Sequence, residues 1–193
     1  MHGLVNRSLQ CFLRDTYGLD LWTEVAGDTG VGEQGFEAML DYDDGLTEAV
    51  LNAAALRLSK PRDALLEDLG IYLVGWEPLR RLLRFGGVDF VDFLQSLDEL
   101  PDRVRLAVPD LETPELTLLR AGDDRFRLVC KAERPGFGNV FAGILRGMAD
   151  DYGALALIDA QDAGGADETI TIELLQASFA RGRDFDLARP QGA

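Results

Sequence analysis

Hydrophobic residues in the first half of the chain recur at helical spacing. Across residues 3–18, leucine, valine and phenylalanine fall three or four positions apart, and Gly18 suits a helix end. A second helix is predicted over residues 47–60, with Thr47 as its N-cap. Pro61 then suits the first position of a third helix, because proline is favoured there. The N-terminal part of the chain is therefore predicted to be helical.

Two shorter helices are predicted at residues 88–97 and 99–108. Asp98 is a suitable cap for the second of them, which makes Pro101 its third residue. Proline lacks an amide hydrogen, but amides in a first helical turn have no acceptor within the helix. The local sequence therefore permits Pro101 without explaining it.

The pattern changes from helical to alternating after Pro114. The segments ELTLLR and RFRLVCKAE alternate around AGDD, which predicts a β-hairpin. Residues 137–153 return to helical spacing, and two further alternating segments flank DAGGAD. The order ββαββ predicts an α+β protein in which an N-terminal helical lobe packs on a four-stranded antiparallel sheet lobe.

The length of 193 residues suits a single domain with a real core. We expect this domain to cover residues 1–185. Its helical lobe takes about residues 1–60, and the remaining helices and the sheet lobe take about 61–185. Residues 186–193 are expected to form a tail.

The charge narrows the range of partners. The net charge of −15 opposes binding to nucleic acid and to anionic membrane surfaces, both of which favour basic proteins. The chain has no apolar core of signal-peptide type and no run approaching ~20 apolar residues. These features predict a cytoplasmic protein.

Few side chains suited to catalysis or metal binding are present. The single histidine is His2, which excludes a Ser-His-Asp triad with a mid-chain base and any site of several histidines. The two cysteines, Cys11 and Cys130, are too few for a disulfide framework. No phosphate-binding loop or dinucleotide fingerprint appears. The sequence predicts that the chain is not an enzyme.

Several segments together resemble the H-NOX (haem NO-binding) family, which includes the sensor domain of soluble guanylate cyclase. They include MHGLVNRSLQCFLRDTYG, FVDFLQSLDEL and GILRGMADDYG, and the likeness runs in order from residue 1 to about residue 185. The resemblance implies haem b held between the helical and sheet lobes. It also implies a histidine on the iron, a Tyr-x-Ser-x-Arg motif on the propionates and nitric oxide bound opposite the histidine.

The resemblance carries over unevenly to individual residues. The iron-ligating histidine aligns with Pro101, which has no lone pair for a metal. The tyrosine and serine of the propionate motif align with Cys130 and Ala132, while its arginine is kept as Arg134. The proline that presses on the porphyrin is kept as Pro114.

The resemblance places Leu4, Leu73 and Leu145 in the wall of the gas-binding pocket, and all three are apolar. For an iron ligand, His2 is the first candidate and Cys130 is the second. The alternative for His2 is a solvated N-terminal side chain, and the alternative for Cys130 is a small packed hydrophobe.

Two functions of different classes remain open. One is a haem-based nitric oxide sensor that regulates a separate signalling enzyme, such as a cyclic-di-GMP enzyme or a histidine kinase. The other is a haem-free module that keeps an apolar cavity and binds an apolar ligand or only a protein partner.

Overall fold

The computed structural model describes residues 1–32, 34–161 and 167–176, so the tail expected at 186–193 lies outside the described residues. Helices dominate the first half and strands the second. The α-helices are α1 (Gly3–Tyr17), α2 (Leu19–Thr29), α3 (Asp44–Leu58), α4 (Arg62–Val74), α5 (Glu77–Arg84), α6 (Phe90–Gln95), α7 (Leu100–Ala107) and α8 (Phe137–Tyr152). A short 3-10 helix, Leu97–Glu99, joins α6 to α7.

The predicted ends of the first helices are partly confirmed. α1 ends at Gly18, as predicted. The backbone φ of Gly18 is 99°, a value that residues with a side chain rarely adopt. The prediction of Thr47 as the cap of α3 is wrong, because the carboxylate of Asp43 caps this helix by accepting from the amide of Gly45 at 2.8 Å. Thr47 instead lies buried and donates its hydroxyl to Asn6 at 2.7 Å.

Two helices lie where the sequence pattern predicts none. α2 begins directly after Gly18, so the same glycine ends one helix and starts the next. α5 has eight residues, of which only Leu83 is buried. α5 is only eight residues long and three of them are arginine, so it offers few apolar positions from which a period could be recognised.

Pro101 is the second residue of α7 rather than the third. In the first turn it displaces no helical hydrogen bond, as the sequence indicated. Asp98 does not cap this helix; its carboxylate accepts from the amide of Leu118 in the sheet at 2.7 Å. The prediction of Asp98 as a helix cap is therefore wrong, because its carboxylate binds a backbone amide 20 positions away in the sheet instead.

The sheet confirms the predicted α+β class. Its strands are β1 (Glu115–Arg120), β2 (Arg125–Lys131), β3 (Leu155–Gln161) and β4 (Asp167–Gln176). They lie in the order β1-β2-β4-β3, and every neighbouring pair is antiparallel. α8 packs against this sheet, and Cys130 of β2 pairs with Leu116 on one side and Glu168 on the other.

Two apolar clusters form the interior. The helical core joins α1 to α4 and includes Leu9, Phe12, Leu13, Trp22, Val25, Phe36, Val50, Leu51, Leu65, Leu66 and Leu69. The sheet core lies between the sheet, α8 and the helices before β1, and includes Phe90, Phe93, Leu97, Leu100, Leu116, Phe126, Leu128, Leu145, Met148, Ile170 and Ile172.

α4 and α8 connect the two cores through a close backbone contact. A Cβ built on Gly143 of α8 would overlap the carbonyl oxygen of Glu67 and would lie 3.0 Å from the Cα of Gly70 in α4. Only glycine allows this approach, because any side chain would push the two helices apart.

Candidate functional site

An open cleft lies where the loop between α7 and β1 passes the loop between β2 and α8. Its volume is about 590 Å³, within the range of small-molecule sites, roughly 300–1,000 Å³. Its walls mix apolar and charged side chains. The lining residues are Arg105, residues 109–115, residues 131–134 and Phe137.

Arg134 is the best-connected cation of the cleft. Its Nε donates to Asp44 at 2.7 Å and its Nη1 donates to Glu112 at 2.8 Å. The hydrogen bond to Glu112, and to a smaller degree the one to Asp44, raises the pKa of Arg134. The guanidinium therefore joins the start of α3, the α7–β1 loop and the β2–α8 loop.

Asp44 receives a second positive group, the terminal ammonium of Met1 at 2.6 Å. The ammonium and then the Arg134 guanidinium hold the pKa of Asp44 below its ordinary value, because both favour the charged carboxylate. Asp44 thus stays ionised at neutral pH.

The start of α8 is occupied by a carboxylate from the sheet. Glu168 accepts from the amides of Gly136 at 2.6 Å and Gly138 at 2.7 Å. Amides at a helix start have no acceptor within the helix, and the positive end of the helix dipole favours an anion there. Two amides at the start of α8 are therefore satisfied from within the chain.

The structure brings together only some of the predicted site residues. Pro114 and Arg134 line the cleft. Leu73 is half-buried and packs against the helical core, whereas Leu145 belongs to the sheet core. Leu4, at the start of α1, is also half-buried and lies outside the cleft lining.

The expected hollow beside Leu145 is absent. The side chain of Leu145 is 0% exposed, so no space of water size adjoins it. Phenylalanine and leucine side chains of the sheet core fill this region. Among the described residues, an open cleft lies beside Pro114 instead.

Pro101 lies four residues before Arg105, on the same face of α7. Proline offers no donor atom at this position. Haem iron is normally held by histidine, cysteine, methionine or tyrosine, and none of these is among the residues that line the cleft.

His2 serves the backbone of α1. Its Nδ1 accepts from the amide of Leu4 at 3.1 Å, so the imidazole caps the helix. The backbone of His2 also forms a bridge with Asp41. The sequence offers two alternatives for this side chain, an iron ligand and a solvated group; the structure adds the helix-capping contact and shows the side chain half-exposed.

Cys130 is packed in the sheet core and is fully buried. Burial, and then the negative charge of Glu168, raise the pKa of its thiol to about 12. The thiol therefore stays protonated at neutral pH, whereas metal binding requires a thiolate.

Sequence reasoning found Arg134 but missed its carboxylate partners. Asp44 lies 90 positions and Glu112 22 positions from Arg134 along the chain. No local spacing rule links residues so far apart, and the only signal in the sequence is an acidic residue within PDLETP. Glu168 lies in the alternating segment after DAGGAD, where the pattern predicts a strand and no contact with a helix start.

Within residues 1–32, 34–161 and 167–176, no three His, Cys, Asp or Glu side chains are grouped to hold a metal ion. None of the helices in these ranges combines the length and the apolar character needed to cross a bilayer.

Comparison with known families gives one match that covers most of the chain. The family described as Haem-NO-binding matches residues 2–158. The match includes α1 to α8, β1 and β2, and it contains both walls of the cleft.

Curated relatives include soluble guanylate cyclases of animals. Soluble guanylate cyclase gcy-31 of Caenorhabditis elegans is 25% identical over 155 residues, which cover 78% of this chain and 22% of that protein. Soluble guanylate cyclase 89Db of Drosophila melanogaster is 24% identical over 158 residues, covering 79% and 23%. The chain thus spans less than a quarter of the length of these relatives.

Solved structures share the fold. An Fe(II) unliganded H-NOX protein from K. algicida has a TM-score of 0.76 at 17% identity, covering 91% of this chain and 97% of that one. An H-NOX protein variant from S. oneidensis has a TM-score of 0.75 at 17% identity, covering 91% and 97%.

Proposed function

The chain belongs to the Haem-NO-binding family, and from that premise we propose that it is a sensor module that regulates a separate signalling enzyme. The family match over residues 2–158 supports this proposal. H-NOX domains are sensor domains and are not themselves catalytic. The curated relatives are guanylate cyclases more than four times as long as the matched segment, so the chain corresponds to one part of such an enzyme. A cyclic-di-GMP enzyme or a histidine kinase in the cytoplasm is the partner we propose.

Homology to the sensor domains of guanylate cyclases and to bacterial H-NOX proteins is consistent with haem-based gas sensing. H-NOX domains bind haem, and haem b is the form we propose to test, with nitric oxide as the gas. His2 is the first ligand candidate and Cys130 the second. Both require rearrangement, because His2 caps α1 and the Cys130 thiol is buried and protonated.

The side chains of this chain do not fit a haem anchored in the usual way. Pro101 stands where the resemblance puts the histidine, and the cleft lining holds no residue of a type that ligates haem iron. Arg134, the one retained member of the propionate motif, already binds two carboxylates. We therefore assign no step of sensing to an iron–protein bond.

These observations favour a second candidate, a haem-free H-NOX-like module. In this case the cleft binds an apolar ligand or stays empty, and the module acts by contacting its protein partner. The fully buried Leu145 supports this candidate, because the interior is packed without a cofactor.

Absorption spectroscopy separates the two candidates. We would purify the protein from haem-replete cells, add hemin and record the Soret band for the wild type, His2→Ala, His2→Asn and Cys130→Ala. Asparagine removes the imidazole but retains an oxygen that can cap the helix, so His2→Asn separates ligation from helix stability. A band lost in both His2 variants would support the gas sensor with His2 as ligand. A protein that gains no band with hemin would support the haem-free module.

A further inference from the structure

We propose that Asp44, Glu112 and Glu168 form an internal lock on the β2–α8 loop, which holds the helical and sheet parts together without a bound ligand. These carboxylates occupy the anion-binding groups of that loop. The inference concerns the haem-free chain and does not depend on the sensor function.

Four donors of the loop and of the start of α8 have carboxylate partners. Two nitrogens of Arg134 donate to Asp44 and Glu112. The amides of Gly136 and Gly138 donate to Glu168. Hydrogen bonds to an ionised partner are stronger than neutral ones, so this loop is held by charge-assisted contacts.

The three carboxylates come from different parts of the fold. Asp44 begins α3, which packs in the helical core, while Glu112 lies on the loop before β1 and Glu168 lies on β4. Through one loop, the lock thus joins the helical part to the segment that leads into β1 and to the inner strand β4. Contacts between segments so distant in the sequence restrain the relative position of the two parts.

The burial of Arg134 favours a structural role for its ion pairs. Its side chain is 26% exposed, compared with 61% for Arg105, which pairs with Asp102 at the surface. Exposed pairs are screened by water and salt and contribute little. A sheltered guanidinium that lost both carboxylates would be left poorly solvated.

Glu112 is the removable member of the lock. Its side chain is 72% exposed, compared with 48% for Asp44. Any ligand that brings its own carboxylate to Arg134 must compete with these two side chains. Because Glu112 lies on the wall of the cleft, its displacement would open Arg134 toward the cleft.

Thermal unfolding of the haem-free full chain tests the lock. The variants are Arg134→Gln, Glu112→Gln and the two combined, and Arg125→Gln with Glu173→Gln forms a matched control pair on the sheet surface. We expect Arg134→Gln to lower the Tm by roughly 2–6 °C, and the combined variant to lower it no further. The control pair should shift the Tm by less than about 2 °C.

The lock is overturned if Arg134→Gln keeps the wild-type Tm. It is also overturned if the decrease in Tm of the combined variant equals the sum of the decreases in Arg134→Gln and Glu112→Gln. Should Arg134→Gln fail to fold, Asp44→Asn and Glu112→Gln supply the test, and both must lower the Tm. These measurements use neither haem nor a partner enzyme. Their failure would leave the sensor proposal standing, and a missing Soret band would leave the lock standing.

Discussion

Gly70 of α4 lies directly against Gly143 of α8, at the point where the helical and sheet parts meet. A Cβ on Gly70 would lie 2.9 Å from the Cα of Gly143, closer than real side chains approach a backbone. The contact explains why these positions hold glycine inside two helices, where glycine otherwise costs stability.

Gly143→Ala should destabilise the protein by about 1–3 kcal/mol, because the added methyl group forces the helices apart. Gly27→Ala in α2 is the control, since a Cβ there meets nothing within 4 Å. Alanine at this site should stabilise the helix by roughly 0.5–1 kcal/mol. Urea unfolding measures both, and equal effects of the two substitutions would contradict the close contact.

Leu145→Ala tests whether the interior is filled. A fully packed leucine costs about 2–5 kcal/mol when truncated, whereas a leucine that faces an open hollow costs much less. Leu106→Ala is the control, because that side chain is 87% exposed and should change stability by less than about 0.5 kcal/mol. A loss below about 1 kcal/mol for Leu145→Ala would restore the hollow that the sequence suggested.

Cys130 should resist thiol reagents in the folded protein. Its raised pKa of about 12 and its complete burial leave almost no accessible thiolate at pH 8. Cys11 is partly exposed and should react first. Mass spectrometry after brief alkylation distinguishes the two, with denatured protein as the reference in which both react. Equal labelling of the folded protein would argue against the packed thiol.

Pro101→His tests the alignment of this position with the family's iron ligand. The first turn of α7 tolerates the change, because proline there makes no hydrogen bond that histidine would disturb. Position 101 shares a face with Arg105 of the cleft, so we expect this variant to take up hemin with a stronger Soret band than the wild type. Asp102→His, one position along, is the control. Equal bands in both variants would contradict the alignment.

The stabilisation that depends on Arg134 should be lost in acid. The pKa of Asp44 is lower in the folded protein, so its contribution is complete above its ordinary pKa of about 3.9 and is lost as the pH falls through the lowered value. The Met1 ammonium and Arg134 face this carboxylate. The Tm difference between wild type and Arg134→Gln should therefore be constant near neutral pH and shrink below about pH 4. A difference that grows in acid would refute this account.

Local chemistry predicts most of the fold. Alternation and turn residues give both hairpins, and helical spacing with Gly153 gives α8, because the signals for these elements lie within a few residues of each other. α5 escapes prediction, since its eight residues include three arginines and span only about two turns. The cap of α3 is misplaced because two adjacent aspartates, Asp43 and Asp44, compete with Thr47 for that role.

The site is less predictable than the fold. The resemblance aligns Pro101 with the family's iron ligand, and that alignment stays a prediction. Residue types do not reveal that Leu145 is sealed in the sheet core, since that depends on how aromatic side chains from distant elements pack. Nor do they assign Arg134 its two carboxylates, because ion pairs across 22 and 90 positions arise only after folding.

The ion pairs between arginines and carboxylates also affect how the protein attracts charged partners over long distances. Arg80 and Arg84 both bind Asp151, just as Arg134 binds two acids, so much of the positive charge is cancelled locally. The excess of 15 negative charges is left to project into solvent. A protein with a basic face is drawn in faster than a neutral one, and raising the ionic strength weakens that pull because the Debye length shortens.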